Sequence, residues 1–563
     1  MADHKPEISV LPNANADQAT IVDRDRDFDI HEKRPDDAQL VSAYAHLTTA
    51  ETIRKFWRLY VVGFAVSVSG VYLGYTLTLP GSIVANQGFV NQFGTVRDAT
   101  GALALDAQYV GAWNGSNFGS QVLFQLLSPF TANLFGIRFN MYCFTSLIVL
   151  AIILEIVAKQ WYVYLIAKIV AGFAAGFIGT SVMTYISEIT MPKMRGSHLS
   201  AFALFFAIGQ VASAVGLEVL QNTNPLDYRR AFYSEFAILG IWLPILLLLP
   251  ESPVWLYKKG KHDKAKRSLR KLIGNVDGYD WEHEYAVMSQ EVEHSLAETA
   301  KSAKLGWVAC FKGTNLRRTL ISTIPFSMQN FVGGPLMFNG AYFFSLVGLS
   351  NAFTANLIIL CVLMGGVLTS FYLVDRVGRR PLLLVGGTLM ALFNFAVGGI
   401  GLHKITSSLG GLMVACCALW TAAYSISVAP IGWLAIVELS TPMLRAQTAG
   451  IAAVLQSLNG VIFSTSIDTL DIRNPLTPPL SQNYTVPLML SDQYAGWGAK
   501  IGFFFGPLAV LFTILVWFTV PETKGRTYGE LDELFERRVP AWKFKTTKTS
   551  VQEVTQLEAG FQP

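Results

Sequence analysis

Two apolar stretches of this chain end in the same short signature, a Glu followed by Pro and Arg at fixed intervals. Glu188, Pro192 and Arg195 in SEITMPKMR recur as Glu438, Pro442 and Arg445 in VELSTPMLR, so that Glu438 follows Glu188 by 250 positions. A pattern repeated at matching ends of two hydrophobic segments divides the chain into two related halves. In membrane proteins that construction places a binding site between the repeats at mid-bilayer depth.

The composition requires a bilayer. Of 563 residues, 52% are hydrophobic and only 15% charged, against about 25% charged in ordinary soluble domains, and the mean hydropathy is +0.39. Apolar runs long enough to span, about 20 residues each, fall near 57–80, 108–133, 140–158, 161–189, 199–221, 231–249, 318–345, 352–374, 381–402, 409–438, 446–467 and 498–520. Twelve spans are therefore expected, six on each side of a polar insert from Glu251 to Arg318. That insert carries Lys258, Lys259, Lys261, Lys264, Lys266, Arg267, Arg270 and Lys271 in one short stretch, which the positive-inside rule assigns to the cytoplasm. Both termini then lie inside, and the pI of 8.6 reports topology. The pair Arg229-Arg230 is the one poor fit to this orientation.

Several classes drop out. The basic residues sit beside spans with no interleaved aromatics on a soluble face, which excludes a nucleic-acid partner. The cysteines, Cys143, Cys310, Cys361, Cys416 and Cys417, have no metal or framework spacing. The eight histidines fall at or outside the ends of spans and form no zinc set or nucleophile pair. No enzyme, cofactor or metal is expected. No cleavable signal peptide is expected ahead of the polar N-terminal stretch.

After the eighth run comes Asp375-Arg376-Val377-Gly378-Arg379-Arg380-Pro381, a glycine turn with one carboxylate and three guanidinium groups. It is suited to pair with Glu438 and Arg445 as a latch at the water interface, because guanidinium and carboxylate lock in a defined geometry. Its first-half counterpart, Asn133-Leu134-Phe135-Gly136-Ile137-Arg138, keeps the glycine and last arginine but lacks the acid and the first arginine. The latch to Glu188 and Arg195 should be looser.

These pieces resemble the sugar porters of the major facilitator superfamily. The resemblance rests on YISEITMPKMRG, PESPVWL, DRVGRRP, Trp433 followed by Glu438 and Arg445, and PETKGR, spread over about residues 55 to 540. RTYGELDELFERRVPAWKFKTTK and WGAKIGFFFG further resemble fungal alpha-glucoside (maltose-type) permeases. The resemblance implies an all-α membrane protein of twelve transmembrane helices in two six-helix halves. Its domains would be a cytosolic tail at 1–55, a first bundle at 56–250, a cytoplasmic linker with short helices at 251–317, a second bundle at 318–520 and a cytosolic tail at 521–563.

A neutral, hydroxyl-rich solute needs amides that both donate and accept, and an aromatic face. By resemblance Gln210, Gln329, Asn330, Trp433 and Gln456 occupy the sugar-contacting positions, with Asn330 standing where a second Gln is usual; Asn459 lies at similar depth. Ala203 replaces a Gln found in many relatives, and Pro335 replaces an Asn. Both changes remove hydrogen-bond donors, which points to a glucoside, an oligosaccharide or a less hydroxylated metabolite.

Proton-coupled members carry Gly-Tyr-Asp in the first span, near an Arg in the fourth. Here the first-span pattern is Gly74-Tyr75-Thr76 and the fourth-span position is Lys168. The coupling candidates are thus Thr76, Lys168, Glu155 and Glu218, with Lys168 able to snorkel to the outer interface and both glutamates expected near outer helix ends. The expected function is a plasma-membrane, multi-pass sugar transporter working by alternating access, either facilitative because the first-span Asp is replaced by Thr76 or using a rearranged proton site. The alternatives are a carrier or exporter of a non-sugar metabolite, or a sugar sensor with little transport. Expected partners are a small sugar or related solute, the lipid bilayer and, if coupled, protons, with the chain a monomer. The loop at 468–499 carries the sequon Asn483-Tyr484-Thr485, which makes Asn483 a glycosylation candidate.

Overall fold

The computed structural model describes residues 42–44, 46–97, 101–276, 278–305, 307–349, 351–404, 406–441, 444–464, 486–491, 495–524, 526 and 528–549. The sequon at Asn483 lies outside them. The described chain is mostly helical, with one antiparallel pair of two-residue strands, Val96–Arg97 and Leu103–Ala104, as its sheet.

Among the described residues, nine helices are long and apolar enough to cross a membrane: Trp57–Ile83, Ile137–Val157, Trp161–Ile189, Ser197–Thr223, Arg229–Leu248, Ala352–Val377, Arg379–Ile400, Ser407–Ile436 and Gly498–Thr519. The other three expected runs are helical too. Ala107–Phe135 is 29 residues long but rich in Gln, Asn and Ser, and Arg445–Ser464 has a shorter apolar stretch, Gln447–Phe463. The seventh run is not the continuous helix expected over 318–345. Gly313–Phe331 stops at Gly333, whose φ of +110° is left-handed, and short helices Gly334–Phe338 and Gly340–Leu346 follow. Gly333 and Pro335 account for the break, since a left-handed residue ends a helix and proline starts a new one at its first turn.

Buried apolar side chains form one cluster from Phe56 to Tyr279 and another from Ile321 to Phe544. Within the first, Ala107–Phe135 and Ile137–Val157 both pack on Trp161–Ile189, and Ser69–Ile83 packs on Pro192–Thr223. The last contact is close because it is made by glycine: a Cβ on Gly74 would strike the Phe206 carbonyl, and one on Gly209 the Val71 carbonyl. Small residues of this kind let helix backbones approach where lipid offers no hydrophobic gain.

The two clusters meet where Ala352–Val377 packs on Pro192–Thr223 and Arg445–Ser464 packs on Ala107–Phe135. At the end away from Glu188 they are joined by Thr354 donating to Glu218 (2.8 Å), Asn356 to Ser82 (3.3 Å) and Asn114 to Asn339 (3.4 Å). Tyr75, Leu79, Ile83, Tyr342 and Phe353 share an apolar cluster there. The polar insert folds into the helices Pro253–Lys258, His262–Ile273 and Trp281–Leu305.

Candidate functional site

The duplicated signature marks two corners built alike. Gly136 (φ +111°) and Gly378 (φ +104°) make the turns before Ile137–Val157 and Arg379–Ile400. Each turn is closed by a carboxylate from a distant segment that accepts backbone N–H groups at the helix start, where unpaired donors and the helix dipole favour an anion. Glu251 accepts from Arg138 N (3.2 Å), and Glu522 from Arg379 N (3.1 Å) and Arg380 N (3.2 Å). Burial pushes the Glu251 carboxyl above its ordinary range, while the backbone N–H groups of Ser252 and Arg138 pull it back. The next residue donates its hydroxyl to the signature glutamate: Ser252 to Glu188 and Thr523 to Glu438.

The corners differ in charge. Arg379 Nη2 lies 2.9 Å from Glu438 Oε1 and 3.4 Å from Asp375 Oδ1, in a pocket that leaves Asp375 largely exposed and the other two mostly covered. The first half has Ile137 at the position of Arg379, so Glu188 is met there by a hydroxyl. Arg195 is exposed in the first turn of Pro192–Thr223. Arg445 opens Arg445–Ser464, and its side chain lies outside the described set.

The predicted amides fall in two places. Asn330 Nδ2 donates to Gln456 Oε1 (3.0 Å), joining Gly313–Phe331 to Arg445–Ser464, and Gln329 accepts from Tyr424 OH (3.3 Å). One helical turn before Gln329 and Asn330, Phe326 meets Trp433 edge-on at 4.5 Å, and Trp433 is 62% exposed. Gln210 stands on the other half, on Pro192–Thr223. It is 3% exposed, and its Oε1 has no hydrogen-bond partner among the described residues. Ala203 is exposed two turns before it on the same helix.

Of the coupling candidates, three come together and one does not. Lys168 does not snorkel: it is 3% exposed and its Nζ lies 2.6 Å from Glu155 Oε1. A charge buried at this depth is tolerated when an opposite charge pairs with it. Thr76 turns its hydroxyl to the Tyr72 carbonyl (3.0 Å) and lines one small cavity with Glu155. Glu218 is remote from it, bonded to Thr354 and to Asn222 (3.1 Å). The same cavity holds a residue the sequence reading passed over: Glu235, 3% exposed, which accepts from Tyr72 OH at 3.2 Å. A glutamate inside the apolar run FYSEFAIL was the available signal, because intramembrane carboxylates are costly and seldom idle.

Residues 62–535 match the sugar (and other) transporter family. The chain belongs to that family. It is a multi-pass membrane transporter of the major facilitator superfamily and not an enzyme. Among curated proteins it is 26% identical to the MFS transporter fmqE of Aspergillus fumigatus over 91% of this chain and 94% of that one. It is also 26% identical to the general alpha-glucoside permease of Saccharomyces cerevisiae, over 89% of this chain and 79% of the relative. The inward open conformation of the xylose transporter XylE from E. coli superposes with a TM-score of 0.65 at 20% identity, over 84% of this chain and 99% of that one, which shows the shared fold.

Proposed function

We propose that this family member carries a sugar, of the glucoside or oligosaccharide class, across the plasma membrane by alternating access between two six-helix bundles at 56–250 and 318–520. In this reading all twelve helical runs span, the linker at 251–317 and the tails at 1–55 and 521–563 are cytoplasmic, and the chain works as a monomer. The solute site lies between the halves. Gln210 faces it from the first, and Gln329, Asn330, Gln456 and Trp433 from the second.

The observation that carries the reading is Gln210. A buried amide oxygen without a partner is expensive, and a solute hydroxyl arriving from between the halves is the group that would satisfy it. Trp433, exposed and braced by Phe326, supplies the flat apolar surface that a sugar ring stacks on. The alpha-glucoside permease relative supports the substrate class, and Ala203 with Pro335 supports a solute larger or less hydroxylated than a hexose.

The corner networks serve as gates. Glu188 with Arg195, and Asp375, Arg379, Glu438 and Arg445, stand at the helix ends where inner closure would occur, and the bonds at Glu218, Ser82 and Asn114 hold the outer end shut in this state. With Thr76 in place of a carboxylate the first span cannot itself carry a proton, so carriage is facilitative unless another group takes up that role. The test is uptake of labelled glucose, maltose, cellobiose, lactose and a polyol into proteoliposomes of the purified chain, with an internal pH dye. Movement of a glucoside supports the reading. Binding without movement makes the protein a sensor, and no binding by any of the panel turns the reading to a carrier of a non-sugar metabolite.

A further inference from the structure

The helix His262–Ile273 carries its charge unevenly around its axis. Residues 258–273 hold eight lysines and arginines, all exposed, and one carboxylate, Asp263. With 3.6 residues per turn, Lys266 and Arg270 share one edge of the helix, while Lys264, Arg267 and Lys271 share another. Ala265, Ser268 and Leu272 are buried between the two edges. The first edge is occupied: Lys266 lies over the Tyr285 ring at 5.0 Å and Arg270 over the Trp281 ring at 5.7 Å, both on Trp281–Leu305. On the second edge, Lys264 and Arg267 have no hydrogen-bond or ion-pair partner among the described residues.

That second edge is anchored at the membrane boundary. Lys271 Nζ donates to the carbonyl of Leu248 at 2.9 Å. Leu248 is the last residue of the span Arg229–Leu248 and is 72% exposed, which places it against lipid. The helix also packs on Trp57–Ser67; there a Cβ on Gly274 would meet Arg58, and the neighbouring Trp57 is 64% exposed. Tryptophan at a span end sits at the depth of the lipid headgroups. From Lys271 the row runs back through Arg267 to Lys264 for about 10 Å, beside a shallow hollow that Lys261 and His262 also line.

We propose that Lys264, Arg267 and Lys271 form a binding edge for anionic phospholipid headgroups of the leaflet on the linker's side, which ties the linker to the bilayer. Cations beside a span end attract the phosphates of that leaflet, and the attraction falls off within a Debye length. Orientation by positive charge needs only a count of lysines and arginines on one side. It does not require that cations without partners line up on the edge that meets the span end, with the rest stacked on aromatic rings. Exposed cations hold a single soluble phosphate weakly, whereas a bilayer presents many such groups at once. The inference does not depend on which solute is carried.

The test uses the full chain in nanodiscs of phosphatidylcholine, alone or mixed with phosphatidylinositol. Two double variants remove equal charge: Lys264→Gln with Arg267→Gln on the free edge, and Lys266→Gln with Arg270→Gln on the stacked one. Native mass spectrometry counts the lipids each protein retains. The wild type is expected to keep phosphatidylinositol in preference to phosphatidylcholine. That preference should fall about fivefold for each cation lost from the free edge and much less for those lost from the stacked edge. An equal fall in both variants means a diffuse field and overturns the edge, as does a wild type without preference. Amide hydrogen exchange over 262–273 needs no substitution and decides the matter should a variant fail to fold. It is expected to slow when phosphatidylinositol is present and to recover at high salt. Exchange indifferent to phosphatidylinositol overturns the proposal. Equal slowing by a soluble inositol phosphate added to phosphatidylcholine discs assigns the edge to a dissolved anion and overturns the lipid.

Discussion

Arg379 holds Glu438 at 2.9 Å, and the corresponding corner of the first half offers Glu188 no guanidinium from its turn. A hydrogen bond to a charged group contributes about 1.5–3 kcal/mol. Breaking one shifts a two-state balance by about tenfold or more, since 1.4 kcal/mol is a factor of ten. Arg379→Ala is therefore expected to move the balance between inner-open and inner-closed forms at least that far, read as the distance between spin labels at the two corners. Combined with Glu438→Gln it should add little, because either change removes the same pair. Full additivity would dismiss the latch.

Lys168→Met leaves Glu155 buried and uncompensated. Removing one partner of a buried pair costs about 3–5 kcal/mol, so the thermal midpoint in detergent should fall clearly at neutral pH. Adding Glu155→Gln should restore much of the midpoint. A single Lys168→Met with wild-type stability would mean that the pair is broken in the folded protein.

For the solute site, Asn330→Ala and Gln456→Ala are each expected to weaken sugar binding, measured by intrinsic tryptophan fluorescence. Each also severs an interhelical hydrogen bond of about 1 kcal/mol, and the two should be non-additive because Asn330 and Gln456 bond one another at 3.0 Å. Gln210→Ala removes an amide whose oxygen has no partner among the described residues, so it should lower affinity while leaving stability unchanged or improved. Unaltered affinity in Gln210→Ala would move the site elsewhere.

Ala203→Gln returns a donor and acceptor to the Gln210 face. Selectivity should shift toward plain hexoses, read as the ratio of hexose to glucoside competition for binding. An unchanged ratio would free Ala203 from any part in choosing the solute.

The packing of Ser69–Ile83 on Pro192–Thr223 can be tested with one methyl group. Gly74→Ala places a Cβ against the Phe206 carbonyl, and overpacking of this kind costs about 1–3 kcal/mol. Gly119→Ala, with nothing within 4 Å of the added atom, should be neutral or stabilising, as alanine in a helix normally is by about 0.5–1 kcal/mol. Equal effects at both positions would deny the close approach.

Much of the architecture is legible locally. Apolar runs specify helices one at a time, because their backbone bonds are internal and lipid asks only for length and hydrophobicity. The repeated signature at Glu188 and Glu438, with the glycine turns at Gly136 and Gly378, marks matching corners before any contact is known. The broken seventh run was also written there, in Gly333 and Pro335, but an apolar window averages over a single turn residue and joins the pieces. The eroded first-half turn is legible as well, since Ile137 simply lacks the charge that Arg379 has.

What sequence could not decide is which buried groups face each other. Lys168 could have snorkelled or paired, and the choice fell to Glu155, 13 residues earlier on a neighbouring helix. Glu218, equally acidic, turns to Thr354 instead. Glu235 and Tyr72 are 163 residues apart, and no periodicity relates them. By itself the sequence determined helices, their order and the chemistry each carries, because those follow from residues a few positions apart. Only the tertiary structure decided that Glu155, Glu235 and Thr76 share one cavity, with Lys168 paired to Glu155, because that depends on how each helix is rotated against its neighbours. That rotation is set by packing such as Gly74 on Phe206 and Gly209 on Val71, summed over the whole bundle.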